Sequence, residues 1–200
     1  MILGQRIRLA PNNVQKTFLT QCAGTARFTF NWGLAHWKVQ YEAGDKPSWQ
    51  GLNKELNALK STEFPWMDGM PWKVTNQALA DVGTAFTNFF RRVKQGASKP
   101  GYPKFKKKGR VQEGFAVEGR ALQFNGTRVK IPRLGWVRTS QELRFPGKIL
   151  SARFSERAGH WYLSIQVEVS DSYVYPHQCK SQAVVGVEHL RETYEEWRTI

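Results

Sequence analysis

The chain has 200 residues, of which 40% are hydrophobic and 13% aromatic, and it carries 30 Lys and Arg against 16 Asp and Glu. The formal charge of +14 at pH 7 favours a polyanionic partner, because a large unpaired charge repels itself in a folded chain; a basic surface kept for solubility is the alternative. No run of about 18 apolar residues is present, so no membrane span is predicted, and the N-terminus becomes charged too early for a signal peptide.

Metal-binding and catalytic motifs are missing from the sequence. Cys22 and Cys179 are far apart without a CxxC pair, and the four His residues lack the spacing of zinc ligands. Phosphate-binding loops, nucleophilic-serine motifs, HExxH and dinucleotide motifs are absent as well. We therefore expect no metal site, no cofactor in the chain by itself, and a reduced cytoplasmic compartment.

The N-terminal third predicts a strand followed by a long helix. Polar and apolar residues alternate in "QRIRLAP", which is typical of a strand. Asn12 and Gln15 have the spacing of a capping box, and apolar residues then recur at three- and four-residue spacing over residues 14–41. Gly24 and Gly33 are candidate break points, and the opposite face of the helix carries Arg27, Asn31 and Lys38.

Two further helices are predicted before the pattern changes. Ser48 is a candidate cap for a second helix, and a third runs from Trp72 to about Lys94 with Gly96 as its C-terminal cap. The polar face of the third helix carries Lys73, Asn76 and Gln77. Such side chains can bind base edges if the helix enters a major groove, although exposed Lys and Gln are also ordinary helix formers.

After Gly101 the apolar period becomes two, as in strands. "ALQFNGTRVKI" predicts a hairpin with a type I′ turn at Asn125-Gly126, and "ILSARFSE" with "HWYLSIQVEV" predicts a second hairpin. With "AVVGVE" these make at least five strands. We predict an α+β fold in which an antiparallel β-barrel includes the first strand and carries the helices as an insertion.

The most distinctive stretch is "SKPGYPKFKKKGR", residues 98–110, called the basic segment below. Residues 91–110 contain nine Lys and Arg and no Asp or Glu. Pro and Gly keep the basic segment out of a helix, its cations can neutralise phosphates, and Tyr102 and Phe105 can stack on bases. The alternative is a solvated linker whose aromatic residues anchor it to the core.

The motifs resemble, in chain order, the N-terminal half of the TnpB family of transposon-encoded RNA-guided nucleases, which are relatives of type V CRISPR effectors. The matching segments are "RIRLAPNNVQKTFLTQCAGTARFTFNWGLAHW", "VTNQALADVGTAFTNFFRR", "KPGYPKFKKKGR", "IPRLGWVR" and "GKILSARFSERAGHWYLSIQVE". The resemblance covers nearly all of residues 4–188. It implies a β-barrel wedge domain (1–11 and 98–182), an inserted helical recognition domain (12–97), and the start of a RuvC-like nuclease strand with an acidic tail (183–200).

In that family the first two domains hold a guide-RNA scaffold and read a short motif beside the DNA target. The resemblance places Lys73, Asn76 and Gln77 near the motif DNA. It places the following residues against nucleic-acid backbone: Arg6, Arg8, Arg27, Asn31, Arg91, Arg92, Lys94, Lys99, Tyr102, Lys104, Phe105, Lys106, Lys107, Lys108 and Arg110. The implied partners are a guide RNA and a double-stranded DNA target, with no membrane.

The end of the sequence departs from the family. The family strand reads like "VGIDLG" and its Asp is the first catalytic metal ligand, whereas "VGVEHL" here has Glu188 at that position. Metal-assisted cleavage needs several carboxylates, and the later catalytic acids and zinc-binding insert have no counterpart. We therefore expect a nuclease-inactive, RNA-guided DNA-binding protein of the prokaryotic cytoplasm and nucleoid, with Mg²⁺ involved only if a separate nuclease part is supplied.

Three alternatives stay open. The chain could be the targeting subunit of a split endonuclease, docking a separate nuclease polypeptide through Leu190, Tyr194 and Trp197; a second copy of the chain is the other possible partner. It could be a truncated, non-functional relic of a nuclease. It could also be a general basic RNA-binding protein without a guide, which leaves the ordered series of motif matches unexplained.

Overall fold

A computed structural model describes residues 1–170, in which helices pack beside one antiparallel sheet. The strands are β1 (Ile2–Ala10), β2 (Gly114–Glu118), β3 (Gln123–Asn125), β4 (Arg128–Ile131), β5 (Gly135–Thr139), β6 (Lys148–Arg157) and β7 (His160–Glu168). The helices are α1 (Asn13–Glu42), α2 (Trp49–Leu59) and α3 (Trp72–Lys94), with short 3₁₀ turns at Pro65–Met67 and Gly119–Ala121. None of the helices in residues 1–170 is long and apolar enough to cross a membrane.

The helix ends follow the local chemistry of the sequence. At the start of α1, the Gln15 N–H donates to Asn12 Oδ1 at 2.9 Å and the Asn12 N–H donates to Gln15 Oε1 at 3.1 Å, so the capping box is confirmed. Ser48 caps α2 by accepting from the Gly51 N–H at 3.1 Å. At the end of α3, Gly96 has φ +70 and donates to the Val93 carbonyl, as expected for a glycine cap.

The helices share a small apolar core, and α1 is continuous through both candidate break points. Leu52, Leu56, Met67 and Leu79 form the centre of this core. A Cβ on Gly33 would lie only 2.5 Å from Leu79 Cδ2. Gly33 therefore marks the close approach of α1 to α3 and not a break in α1.

The sheet has the order β2-β6-β7-β1-β5-β4-β3, and every neighbouring pair is antiparallel. The predicted inclusion of the first strand is confirmed, because β1 pairs with β7 on one side and with β5 through Leu9 and Ala10 on the other. The predicted barrel is wrong for residues 1–170: β2 and β3 end the strand order and do not pair with each other. Alternation specifies that one face is buried, but closure depends on strand number and stagger, which the pattern does not encode.

The hairpin of β3 and β4 forms as predicted, but with a different turn. Asn125 pairs with Arg128, so the two loop residues are Gly126 and Thr127. Gly126 has φ +52, and neither Asn125 nor Thr127 has a positive φ. A type I′ turn needs positive φ at both central residues, and the predicted turn at Asn125-Gly126 is therefore wrong by one position.

Candidate nucleic-acid interface

Asn31 of α1 holds the middle of the basic segment in place. Its amide donates to the Lys106 carbonyl at 2.9 Å and accepts from the Lys106 N–H at 2.8 Å. A segment with Pro and Gly has no ladder of its own, so its backbone groups need such side-chain partners. Asn31 was predicted to contact nucleic-acid backbone; here it binds and positions the segment that carries the cations.

Lys106 itself is engaged within the protein. Its Nζ lies 3.8 Å from the centre of the Phe30 ring, which is a cation–π contact. Burial lowers the pKa of Lys106 and the Arg153 charge lowers it further, while Asp81 acts in the opposite direction. The side chain of Lys106 therefore anchors the basic segment and is the least available of its cations.

Aromatic contacts fix the entry to the basic segment. The Tyr102 ring meets Phe86 at 5.7 Å and Phe89 at 5.2 Å, both edge to face, and the Arg92 guanidinium donates to the Pro100 carbonyl at 2.9 Å. Phe105 is 56% exposed. Tyr102 thus acts as an anchor, as the linker interpretation expected, whereas Phe105 remains free to stack on a base.

The remaining cations of this region are available to a partner. Within residues 1–170 they are exposed and their side chains form neither an ion pair nor a hydrogen bond. They are Lys94, Lys99, Lys104, Lys107, Lys108 and Arg110. Arg91 is also exposed, and its guanidinium donates to Asn88 Oδ1 at 3.2 Å.

The first half of α3 faces the sheet across a cleft of about 610 Å³. Lys73 and Gln77 line it from the helix, and Asn76, which is half-buried, does not line it. Gln77 Nε2 donates to Asp81 Oδ1 at 3.0 Å, which leaves the amide oxygen and one N–H for a ligand. The structure brings together two of the three residues predicted to read DNA.

The strand β6 and the 3₁₀ turn at Gly119–Ala121 contribute cations to this cleft that are not among the predicted site residues. Arg120, Lys148 and Arg153 line it opposite α3, and Arg153 also pairs with Asp81 at 3.4 Å. Lys148 and Arg153 are isolated basic residues of β6, and Arg120 lies alone in the 3₁₀ turn at Gly119–Ala121, so no charge run marks any of them. Alternation in β6 predicts that Arg153 points away from the core, but the position of α3 beside it depends on the tertiary fold.

The other predicted backbone contacts lie outside this region. Arg27 pairs with Glu113. Arg6 lies 4.2 Å from the Tyr162 ring centre, and Arg8 Nη2 lies 3.1 Å from His160 Nδ1. Arg6 and Arg8 are exposed on β1 and line a separate cleft of about 440 Å³. The pairing of Arg27 with Glu113 leaves this guanidinium with a structural role between α1 and the residues that precede β2.

Comparison with known proteins identifies the relatives of this fold. A family described as a helix-turn-helix domain of the OrfB IS605 type matches residues 1–46. InsQ of Escherichia coli (strain K12), named as an RNA-guided DNA endonuclease, is 30% identical over 186 residues, which are 92% of this chain and 44% of InsQ. The resemblance to the TnpB family is confirmed.

Two further relatives come from Mycobacterium tuberculosis, strains CDC 1551 / Oshkosh and ATCC 25618 / H37Rv, and are also named as RNA-guided DNA endonucleases. Each is 26% identical over 157 residues, covering 70% of this chain and 34% of the relative. The chain thus spans less than half the length of these three curated relatives. Within residues 1–46 the structure has a strand and one continuous helix, so the name helix-turn-helix does not describe the backbone there.

The position that the TnpB resemblance matches to the family's first catalytic Asp lies outside the described residues. Glu188, and the predicted docking residues Leu190, Tyr194 and Trp197, all follow residue 170. Residues 1–170 contain no cluster of His, Cys, Asp and Glu that could hold a metal ion. What the structure describes is three basic regions: the basic segment, the cleft beside α3 and the outer side of β1.

Proposed function

We propose that residues 1–170 bind a guide RNA and, with it, a DNA target, so that this chain acts as an RNA-guided DNA-binding protein. The observation that carries the proposal is the basic segment: several free cations are held on one ordered loop by Asn31 and by the aromatic contacts of Tyr102. The names of the three relatives support RNA and DNA as the partners. Phosphate neutralisation by such cations supplies affinity without sequence preference.

The more specific part of the proposal is that α3 reads the DNA sequence beside the target. Lys73 and Gln77 line the cleft beside α3, and their side chains carry groups that can distinguish base pairs in a major groove. The basic residues of β6 opposite them supply phosphate contacts. The proposal assigns binding and not cleavage to these residues; Mg²⁺-dependent cleavage would need carboxylates from outside residues 1–170.

The test begins with the RNA that stays bound to the purified full chain through a high-salt wash. Sequencing should find one discrete structured RNA with a variable end, and duplexes matching that end should be retained when their flanking sequence suits the protein. A library of duplexes with randomised flanks then measures the preference. The double variant Lys73→Ala, Gln77→Ala should keep the RNA and lose the flank preference.

Two outcomes would contradict the proposal: one concerns the guide RNA, and the other the reading of DNA by α3. A mixture of ribosomal and transfer RNA on the wild-type chain would remove the guide and leave a general RNA-binding protein. A discrete RNA with an unchanged flank preference in the double variant would keep the guide but remove the role of α3 in reading DNA.

A further inference from the structure

The strands β3, β4 and β5 present a polar face that no assignment above uses. Side chains of directly opposed residues in an antiparallel pair point to the same side of the sheet. Lys130 is opposite Trp136 and Arg128 is opposite Arg138, while β3 adds the residues opposite β4. The resulting set, called the β3–β5 face, consists of Gln123, Asn125, Arg128, Lys130, Trp136 and Arg138.

The other side of the same strands is buried, which fixes the direction of this face. Val129, Ile131 and Val137 are at most 1% exposed. The helix α1 adds a tether from outside the sheet, because Gln15 Nε2 donates to the Trp136 carbonyl at 2.9 Å. The backbone that carries Trp136 is thus held by the β4 pairing and by α1, and its ring is presented on a rigid element.

The charges of the face have no partner within the described chain. Arg128, Lys130 and Arg138 form no ion pair and no side-chain hydrogen bond among residues 1–170. Two arginines directly opposite each other destabilise a sheet. Glu142 lies near Gly126 in the turn between β3 and β4, since its Oε1 would be 3.4 Å from a Cβ on Gly126, and within residues 1–170 it forms no ion pair with these cations. A face that keeps this repulsion is electrostatically complementary to an anion.

Trp136 indicates which kind of anionic partner the β3–β5 face can bind. Its side chain is 42% exposed, and on this face it is opposite Lys130 and two residues before Arg138. An aromatic ring on such a surface can stack on a base, but only on a base whose own face is free. Bases within a duplex are stacked on their neighbours, whereas unpaired nucleotides can be splayed onto a protein surface.

We propose that the β3–β5 face binds a single-stranded segment of RNA, with an unpaired base stacked on Trp136 and phosphates neutralised by Arg128, Lys130 and Arg138. The inference rests on the proposed RNA-binding function and names the form of RNA that this second surface takes. Gln123 and Asn125 supply amide groups at the edge of the face, where β3 ends the sheet.

The test compares single-stranded with duplex RNA on the full chain freed of bound nucleic acid. Fluorescence anisotropy is measured with a labelled, unstructured 12-nucleotide RNA and with a blunt duplex of the same length. Trp136→Ala should weaken single-strand binding roughly 5- to 150-fold and duplex binding less than twofold. Trp136→Phe should retain part of the affinity, and Trp66→Ala, which removes an indole 48% exposed elsewhere, should change neither.

A second readout covers the case in which Trp136→Ala folds poorly. Binding of the single strand should quench tryptophan emission in the wild-type chain, and Trp136→Phe should lose a resolved share of that quenching. Wild-type affinity of Trp136→Ala for the single strand, equal losses on both RNAs, or unchanged quenching in Trp136→Phe would each overturn the inference. Retention of the discrete cellular RNA by these variants would show that the proposed function stands even then.

Discussion

The basic segment and the β3–β5 face both present cations, yet they depend on different supports. In the basic segment the cations follow one another along the chain, and the loop that carries them is held by a side chain from α1 and by two rings from α3. On the β3–β5 face the cations come from β4 and β5 and meet through strand register. A loop needs tertiary contacts to hold its charges, whereas a paired strand holds them through its own ladder.

Because the supports differ, substitutions in the two regions should change RNA affinity and folding stability in different ways. In the basic segment, losing an anchor should reduce both the stability of the fold and the binding of RNA. On the β3–β5 face, losing one of the two opposed arginines should reduce binding while relieving repulsion within the sheet. The following substitutions test that contrast.

The largest expected effect is on binding by the basic segment. Lys107→Glu with Lys108→Glu should weaken RNA binding and reduce the slope of log affinity against log salt by about 1.4 to 1.8, since two phosphate contacts are lost. Both side chains are exposed, so the free energy of unfolding should change by less than about 0.5 kcal/mol. The measurement is an RNA titration at several salt concentrations.

Lys46→Glu with Lys54→Glu is the matched control for that pair. These two lysines are also exposed, and the variant has the same net charge but leaves the basic segment intact. Equal losses in the two double variants would mean that total charge, and not the basic segment, determines RNA binding.

The next effect is on stability. Asn31→Ala leaves the Lys106 N–H and carbonyl without their partner, which should lower the free energy of unfolding by about 1–3 kcal/mol. RNA affinity should fall as well, although no charge is removed. Urea denaturation measures the first quantity, and the salt titration the second.

Asn88→Ala controls for helix propensity, because Asn88 also lies within a helix and accepts a bond from the exposed Arg91. It should shift stability by less than about 0.5 kcal/mol. If Asn31→Ala were as stable as Asn88→Ala, the basic segment would not depend on this anchor.

The smallest effect has the opposite sign. Arg138→Gln removes the charge opposite Arg128 and should raise stability by about 0.2–1 kcal/mol at low salt, with a smaller gain at high salt because of screening. Lys130→Gln loses the same charge but is opposite Trp136, so it should bring no comparable gain. A destabilised Arg138→Gln variant in thermal denaturation would show that Arg138 is not under repulsion.

In the sequence, the candidate site was visible where its charges are adjacent and on the polar face of α3, where Lys73 and Gln77 line the cleft. The basic segment was found from its composition. Its Pro and Gly residues correctly predicted that the interleaved Tyr102 and Phe105 lie outside any helix. What the sequence could not show is that Lys106 lies on Phe30 and that Gln77 donates to Asp81. The β3–β5 face was missed because its cations are scattered along the chain and meet through pairing.

The fold was predictable where it depends on neighbours in sequence. The caps at Asn12, Ser48 and Gly96 use groups within a few residues, and all three form as expected. The outer parts of the apolar stripe of α1 were less reliable: Val14 is 77% exposed, because a periodic stripe does not reveal how far the packing partner extends. The proposed boundaries of the domains stay a prediction.

The sequence by itself determined the helices and their ends, the antiparallel character of the sheet, the basic segment and the TnpB resemblance, because each depends on residue types at short, regular spacing. Tertiary structure decided that the sheet of residues 1–170 is open, which cations are engaged inside the protein, and where α3 meets β6. These features depend on contacts between residues far apart in the chain, such as Asn31 with Lys106 and Asp81 with Arg153. Local patterns do not constrain such contacts, because strand stagger and packing position are properties of the assembled layers.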